Sequence, residues 1–187
     1  MKTKYIIITL AATLLAQLFV PLKMVYDNEI TVTQGKIFRF RTKPVDPNDP
    51  FRGKYISLDY EADTIAALPG VWEQGEKAYA MLEHDAEGFA RISSLVHDRP
   101  DNDTDYIQVT LSYNINGTQY FDLPFDRFYM EESKAPKAET AYREYNNRQS
   151  RVLPAYALVA VSHGNAVLKD VIIGGKPIKE YLEYDEK

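Results

Sequence analysis

Three histidines, a group of clustered carboxylates and a few serines are the residues of this 187-residue chain whose types could do chemistry. His84, His97 and His163 lack a local ligand spacing such as H-x-x-x-H, and two of them stand beside turn signals. They therefore predict surface histidines rather than a metal centre. Ser93 or Ser94 with His97 and Asp98 makes a serine–histidine–aspartate set only on paper, because no G-x-S-x-G elbow surrounds either serine. No serine is followed by methionine, which argues against a serine–lysine peptidase site. Asp122, Asp126, Glu131 and Glu132 form an acidic set without the D-x-[DN]-x-[DN]-G order of a calcium loop, and Arg127 in its midst predicts internal ion pairing. An acidic cleft around Asp122, Asp126 and Glu131 would instead suit a cell-envelope hydrolase or ligand-binding domain. Asp46-Pro47-Asn48-Asp49-Pro50 is equally acidic, but proline at 44, 47 and 50 predicts an extended polyproline-type crossing. With no cysteine, a thiolate zinc site, a cysteine nucleophile and a disulfide scaffold are excluded. Neither a P-loop nor G-x-G-x-x-G occurs, and Gly174-Gly175 reads as a turn before Pro177. These residues predict no catalytic set, no metal and no cofactor.

The elements that would carry such residues begin with a membrane segment. Tyr5 through Leu22 is 18 residues without a charge, preceded by Lys2 and Lys4. As a helix it would extend about 27 Å, close to the thickness of a hydrocarbon core. Pro21 marks where the helix is expected to stop. A cleaved signal peptide would have a shorter apolar region and a small-x-small cleavage site, and Val20-Pro21-Leu22-Lys23-Met24 offers none. An uncleaved signal anchor over residues 1–23 is expected, followed by an extracytoplasmic domain over residues 24–187. Lys2, Lys4 and the α-amino group before the span outweigh Lys23 after it, which puts the N-terminus in the cytoplasm. Within the span, Thr9, Ala12, Thr13, Ala16 and Gln17 form one stripe of small and polar residues. Thr9, Thr13 and Gln17 would pack against another transmembrane helix, in a homodimer or in a polytopic partner.

The remainder reads as one β-rich domain. Composition, at 45% hydrophobic and 26% charged with 9 Gly and 10 Pro, excludes collagen, a disordered tail and a coiled coil. Strand signals fall at Ile30 and Val32, and over 36–41, 54–61, 78–84, 89–96, 106–115, 156–162 and 167–173. In 106–115, Ile107, Val109, Leu111, Tyr113 and Ile115 share one side. A three-residue loop at Ile115-Asn116-Gly117 would pair Leu111 with Phe121 and keep the apolar sets on one face. Ala138, Ala141, Tyr142 and Tyr145 have the i, i+3, i+4, i+7 spacing of a helix face over 137–149, opened by Pro136. The expected architecture is mainly β, a sandwich or partly open barrel with one packed amphipathic helix.

Beyond Lys23 the chain has 19 basic against 27 acidic residues, a formal charge of −8. A domain this acidic is a poor nucleic-acid binder, and the short basic run Lys36, Arg39, Arg41, Lys43 reads as a solvated strand face.

The distinctive stretch is Arg52-Gly53-Lys54-Tyr55-Ile56-Ser57-Leu58-Asp59-Tyr60. It resembles the GDYXXLXY family of bacterial membrane-anchored proteins through Gly53, Tyr55, Leu58 and Tyr60. The proline-and-aspartate approach over 43–50 is similar too, as is the Arg-aromatic-aromatic-x-x-Glu segment with Arg127, Phe128 and Glu131. Lys54 stands where the family has Asp, so a carboxylate there has no role in this chain. The resemblance implies an anchored extracytoplasmic domain associated with polytopic membrane proteins. The residues themselves place Leu58 and Tyr60 on a core face with Ile56. A binding surface would draw on Arg52, Tyr55 and Arg127, with Asp122 and Asp126 nearby. The expectation is thus a non-enzymatic subunit or partner of a membrane complex, held in the bilayer through residues 5–22.

Overall fold

A computed structural model of the chain describes residues 2–44, 55–66, 72–101, 103–131, 133–147 and 153–185. Among the described residues, helix α1 (Lys2–Gln34) leads into twelve strands: β1 (Lys36–Lys43), β2 (Tyr55–Ser57), β3 (Asp59–Tyr60), β4 (Thr64–Ala66), β5 (Lys77–His84), β6 (Ala90–Val96), β7 (Tyr106–Ile115), β8 (Thr118–Asp122), β9 (Arg127–Tyr129), β10 (Tyr156–Ser162), β11 (Asn165–Ile173) and β12 (Lys176–Pro177). Helices α2 (Ala135–Asn147) and α3 (Ile178–Asp185) complete the chain.

Two five-stranded sheets, β12-β11-β10-β1-β3 and β4-β8-β7-β5-β6, face each other, and the short ribbon β2-β9 lies beside them. A parallel bridge between Ile107 and Gly164 ties the sheets at one corner, so that they curl into a nearly closed barrel. Alternation explains the core: strands such as Lys36–Lys43 and Lys77–His84 turn every second residue inward. Phe38, Phe40, Val159 and Val171 from one sheet meet Ala80, Val109, Leu111 and Phe121 from the other. α2 adds Ala138, Tyr142 and Tyr145 to the same core, as its spacing predicts. The mainly-β expectation with one packed helix holds, and the architecture is the barrel-like alternative.

The structure corrects the sequence reading at three places. First, α1 does not stop at Pro21. It runs on to Gln34, about 50 Å at the usual rise, and absorbs the strand expected at Ile30 and Val32. Its last turns are docked against β10 and β11: Thr31 is buried, and Lys169 Nζ donates to the Val32 carbonyl at 3.3 Å. The Ile30 and Val32 signal belongs to a helix: Asp27, Ile30 and Thr31, at i, i+3 and i+4, are less exposed than most of α1, as is Val32 beside them. Gly35 ends the helix where a Cβ would lie 2.3 Å from the Thr31 carbonyl oxygen and 3.0 Å from that of Val161, so glycine alone allows β1 to begin beside β10.

Second, the β7–β8 turn has two residues, Asn116 and Gly117, both with positive φ (51° and 82°), as a type I′ turn requires. A bulge in β7 between Leu111 and Asn114 then restores the expected Leu111–Phe121 pair. The bulge re-aims Tyr113 and Ile115, which are about half exposed (51% and 52%) instead of inward. Third, a C-terminal helix, α3, follows Pro177; it anchors through the fully buried Ile178.

Candidate functional site

The 54–61 strand splits at Leu58 and changes sheets. β2 pairs with β9 in the register Tyr55–Tyr129, Ile56–Phe128, Ser57–Arg127, whereas β3 pairs with the end of β1. Period-two alternation therefore puts Ile56 and Phe128 into the core and leaves Tyr55, Ser57, Arg127 and Tyr129 together on the outer face. At the split, the Leu58 amide donates to the Asp126 carbonyl at 2.8 Å. Two residues on, the Tyr60 hydroxyl donates to the Phe125 carbonyl at 2.9 Å, while its ring packs edge-on against Phe125 and Phe40. Burial pushes the Tyr60 hydroxyl well above its ordinary pKa, so it stays a donor. Leu58 and Tyr60 thus clamp the 125–129 segment and fix where Arg127 stands.

What Arg127 faces is a pocket of about 500 Å³. Its walls are Asn28 of α1, Gln108 of β7, the 124–129 segment and the β10–β11 turn with the start of β11. Among the described residues, Arg127 is the one charged side chain lining it; the other polar side chains are the amides Asn28, Gln108 and Asn165 and the phenol Tyr129. The guanidinium lies 5.1 Å over the Tyr55 ring, and the Tyr55 and Tyr129 rings are 5.5 Å apart. A hydrogen bond with Tyr129 and the neighbouring Asp126 carboxylate raise its pKa further. That carboxylate lies 3.7 Å from Arg127 Nε, an exposed pair that contributes little. Gly164 shapes the wall: at φ +88°, a Cβ there would come within 2.8 Å of the Tyr106 ring, and its carbonyl accepts the Gln108 amide at 3.0 Å.

The family profile described as "GDYXXLXY protein" matches residues 17–171. The chain belongs to the GDYXXLXY family. No curated protein and no solved structure matches it. In this GDYXXLXY chain, Tyr55 of the motif and Arg127 of the second segment are brought together, as the sequence reading expects. Arg52, Gly53, Lys54 and Glu132 lie outside the described residues, as do 45–50. Phe128 is buried under the cluster, and Glu131 is elsewhere: it is exposed, pairs with Lys134 at 3.5 Å, and its carbonyl accepts amides at the start of α2.

Asp122 and Asp126 also come together, but in a second pocket of about 240 Å³ that adds Asp59 and Asp63. Lys43 reaches into this acidic group, 3.5 Å from Asp59 and 2.6 Å from Asp63, and the Ser112 hydroxyl donates to Asp122 at 2.7 Å. Burial raises the Asp59 carboxyl above its ordinary value; the Lys43 charge pulls it back, but not fully. Among the described residues, no group of three or more His, Asp or Glu is placed to hold a metal ion.

The remaining candidates are scattered. His84 stacks on Phe38, His97 stacks on Trp72 at 3.8 Å with Nδ1 2.8 Å from Glu76, and His163 sits in the β10–β11 turn. Ser93 donates to the Met81 carbonyl, at 3.5 Å, not to a histidine. The basic run on β1 is engaged by the chain itself: Lys36 by Asp105, Arg39 by the Glu87 and Gly88 carbonyls, Arg41 by Asp85 and Glu87, and Lys43 as above. In α1, the Thr9 and Thr13 hydroxyls donate to carbonyls four residues back, at 2.9 Å each, and Gln17 is exposed. Sequence reasoning missed Asn28, Gln108 and Asn165, lone amides from three distant elements. It also passed over Tyr129, although the aromatic-aromatic pair after Arg127 was its signal.

Proposed function

We propose that this protein is a single-span membrane protein whose β domain stands on the extracytoplasmic side and serves, without catalysis of its own, as a subunit or partner of a membrane protein complex. One observation carries the reading: a helix with none of its apolar span buried continues without a break into the domain and docks there through Thr31. The uncovered surface runs from Tyr5 to Tyr26, about 32 Å along the helix, which matches a hydrocarbon core with a tyrosine at each interface. The one charge inside that stretch, Lys23, pairs with Asp27 one turn on, toward the docked end. Lys2 and Lys4 before the span support a cytoplasmic N-terminus. A continuous helix gives the domain a fixed height and attitude over the bilayer, which suits docking against another membrane protein.

The alternative, an envelope hydrolase with an acidic cleft, is less well supported, because Lys43 and Ser112 already engage Asp59, Asp63 and Asp122, three of the four carboxylates that line it. The test is in-membrane crosslinking followed by detergent purification of the full-length chain. A polytopic protein, or a second copy, is expected in the crosslinked product, and replacing Thr9, Thr13 and Gln17 together by Leu should lower its yield. Recovery of the uncrosslinked chain alone would overturn the reading.

A further inference from the structure

We infer that the Arg127 pocket receives the phosphate-bearing headgroup of an anionic phospholipid from the leaflet that α1 leaves on its way to the domain. The inference rests on the reading of α1 as a bilayer span and goes beyond it by giving the domain a ligand.

Position is the first argument. Asn28, a pocket wall, lies two residues past Tyr26, about 3 Å along the helix, so the pocket opens at the level where headgroups lie. The helix is continuous between them, so the pocket cannot swing away from the surface without undocking Thr31. Chemistry is the second. In a domain of net negative charge, this pocket has, among the described residues, no carboxylate in its lining and one guanidinium, whose planar donor fork matches phosphate oxygens. Three carboxamides, Asn28, Gln108 and Asn165, stand around it to bond the hydroxyls and ester oxygens of a glycerol-type headgroup. A lining without an acid among the described residues disfavours a choline or ethanolamine ammonium, which would need a counter-charge. Architecture is the third. Arg127 is stacked on Tyr55 and held by the β2–β9 register, so little side-chain freedom is lost when an anion binds. A volume of about 500 Å³ accommodates a headgroup, and Ala166, Val167 and Leu168 give the wall an apolar side for the start of the acyl chains.

The test is lipid retention by the full-length protein. The chain is reconstituted in an equimolar mixture of phosphatidylglycerol and phosphatidylcholine, re-extracted in mild detergent, and its bound lipids are counted by native mass spectrometry. Wild type should retain phosphatidylglycerol in preference to phosphatidylcholine. Arg127→Gln should lower that retention about tenfold, and Arg127→Lys should keep part of it. Asn28→Phe, on an exposed position of α1, leaves the cation in place but fills the pocket and should also lower retention. Arg91→Gln removes a cation paired with Glu83 elsewhere and should change nothing. Equal retention by Arg127→Gln and wild type, or retention of both lipids in proportion to the mixture, would overturn the inference. So would Arg127-dependent binding of inorganic phosphate with no lipid retained, which would make the pocket a site for a free anion. Alkaline carbonate extraction separates the two claims: release of the protein from membranes refutes the span, whereas resistance without lipid selectivity refutes the pocket alone.

Discussion

The segment from Asp122 to Tyr129 lines two pockets of opposite character. One collects Asp122 and Asp126 with Asp59 and Asp63 in about 240 Å³. The other, twice as large, has no acid among the described residues and presents Arg127 beside Tyr129. The difference lies in who satisfies the charge. In the acidic pocket the chain supplies its own counter-ion, Lys43, and its own donor, Ser112. In the other, Arg127 meets an exposed contact at 3.7 Å with Asp126, the face of the Tyr55 ring and a hydrogen bond with Tyr129, which carries no counter-charge at neutral pH. A cluster of like charges along a sequence is therefore a poor guide to a site. Asp59, Asp63 and Asp122 are held by Lys43 and Ser112, whereas Arg127, beside a buried motif, is left facing a cavity.

Substitutions can break that comparison at graded cost. Leu58→Ala should have the largest effect on the fold, because Leu58 is 5% exposed and its strand break holds the segment that serves both pockets. A loss of about 2–5 kcal/mol in denaturant unfolding of the full-length chain is expected, and an unchanged transition would refute the core assignment. Tyr60→Phe keeps the ring and removes only the donor to the Phe125 carbonyl. Leaving that carbonyl unsatisfied should cost about 1–3 kcal/mol.

Lys43→Met tests the acidic pocket. It should destabilise by about 1 kcal/mol at neutral pH, since the lysine is partly exposed. The sign with pH is fixed by the shifts. Burial lowers the Lys43 pKa, but the Asp63 hydrogen bond and the Asp59 and Asp63 charges outweigh it, so the net shift is upward. Its stabilisation is then present below the ordinary lysine range and is lost as pH rises through the raised folded value. Asp59 is raised as well, so its ionisation costs the fold, and stability falls as pH rises through the carboxylate range. Asp59→Asn should flatten that fall and be neutral or slightly stabilising at pH 7, which thermal melts across pH would detect. The smallest effect on stability belongs to the outer face: Arg127→Gln and Tyr55→Ala should each shift unfolding by under about 0.5 kcal/mol, whatever they do to binding.

The inward Phe38 and Phe40 of the 36–41 strand and the helical spacing of Ala138, Ala141, Tyr142 and Tyr145 were legible because each reports local geometry that the fold leaves intact. So was the inward face of Ile56, Leu58 and Tyr60. The bulge in β7 was not, since it reconciles a two-residue turn with a distant demand that Leu111 meet Phe121. Nor was the length of α1: its last three turns are stabilised by β10 and β11, more than 120 residues away, and no local signal announces that support. The Tyr55–Arg127 half of the site could be read from the family motifs. The amide half could not, because Asn28, Gln108 and Asn165 meet only when three elements assemble.

On the function proposed above, an unbroken α1 holds the Arg127 pocket at the bilayer surface. The chain has no cysteine, so single cysteines can be introduced and spin-labelled without other changes. Asn165 is exposed at the pocket, and Asn116 is exposed at the far end of the ten-residue strand whose start forms the pocket wall. In reconstituted vesicles, the depth of each label is measured by its relaxation with oxygen and with a water-soluble nickel complex. The label at Asn165→Cys should report the headgroup layer, while that at Asn116→Cys should report bulk water. Equal, fully aqueous signals at both positions would contradict the claim.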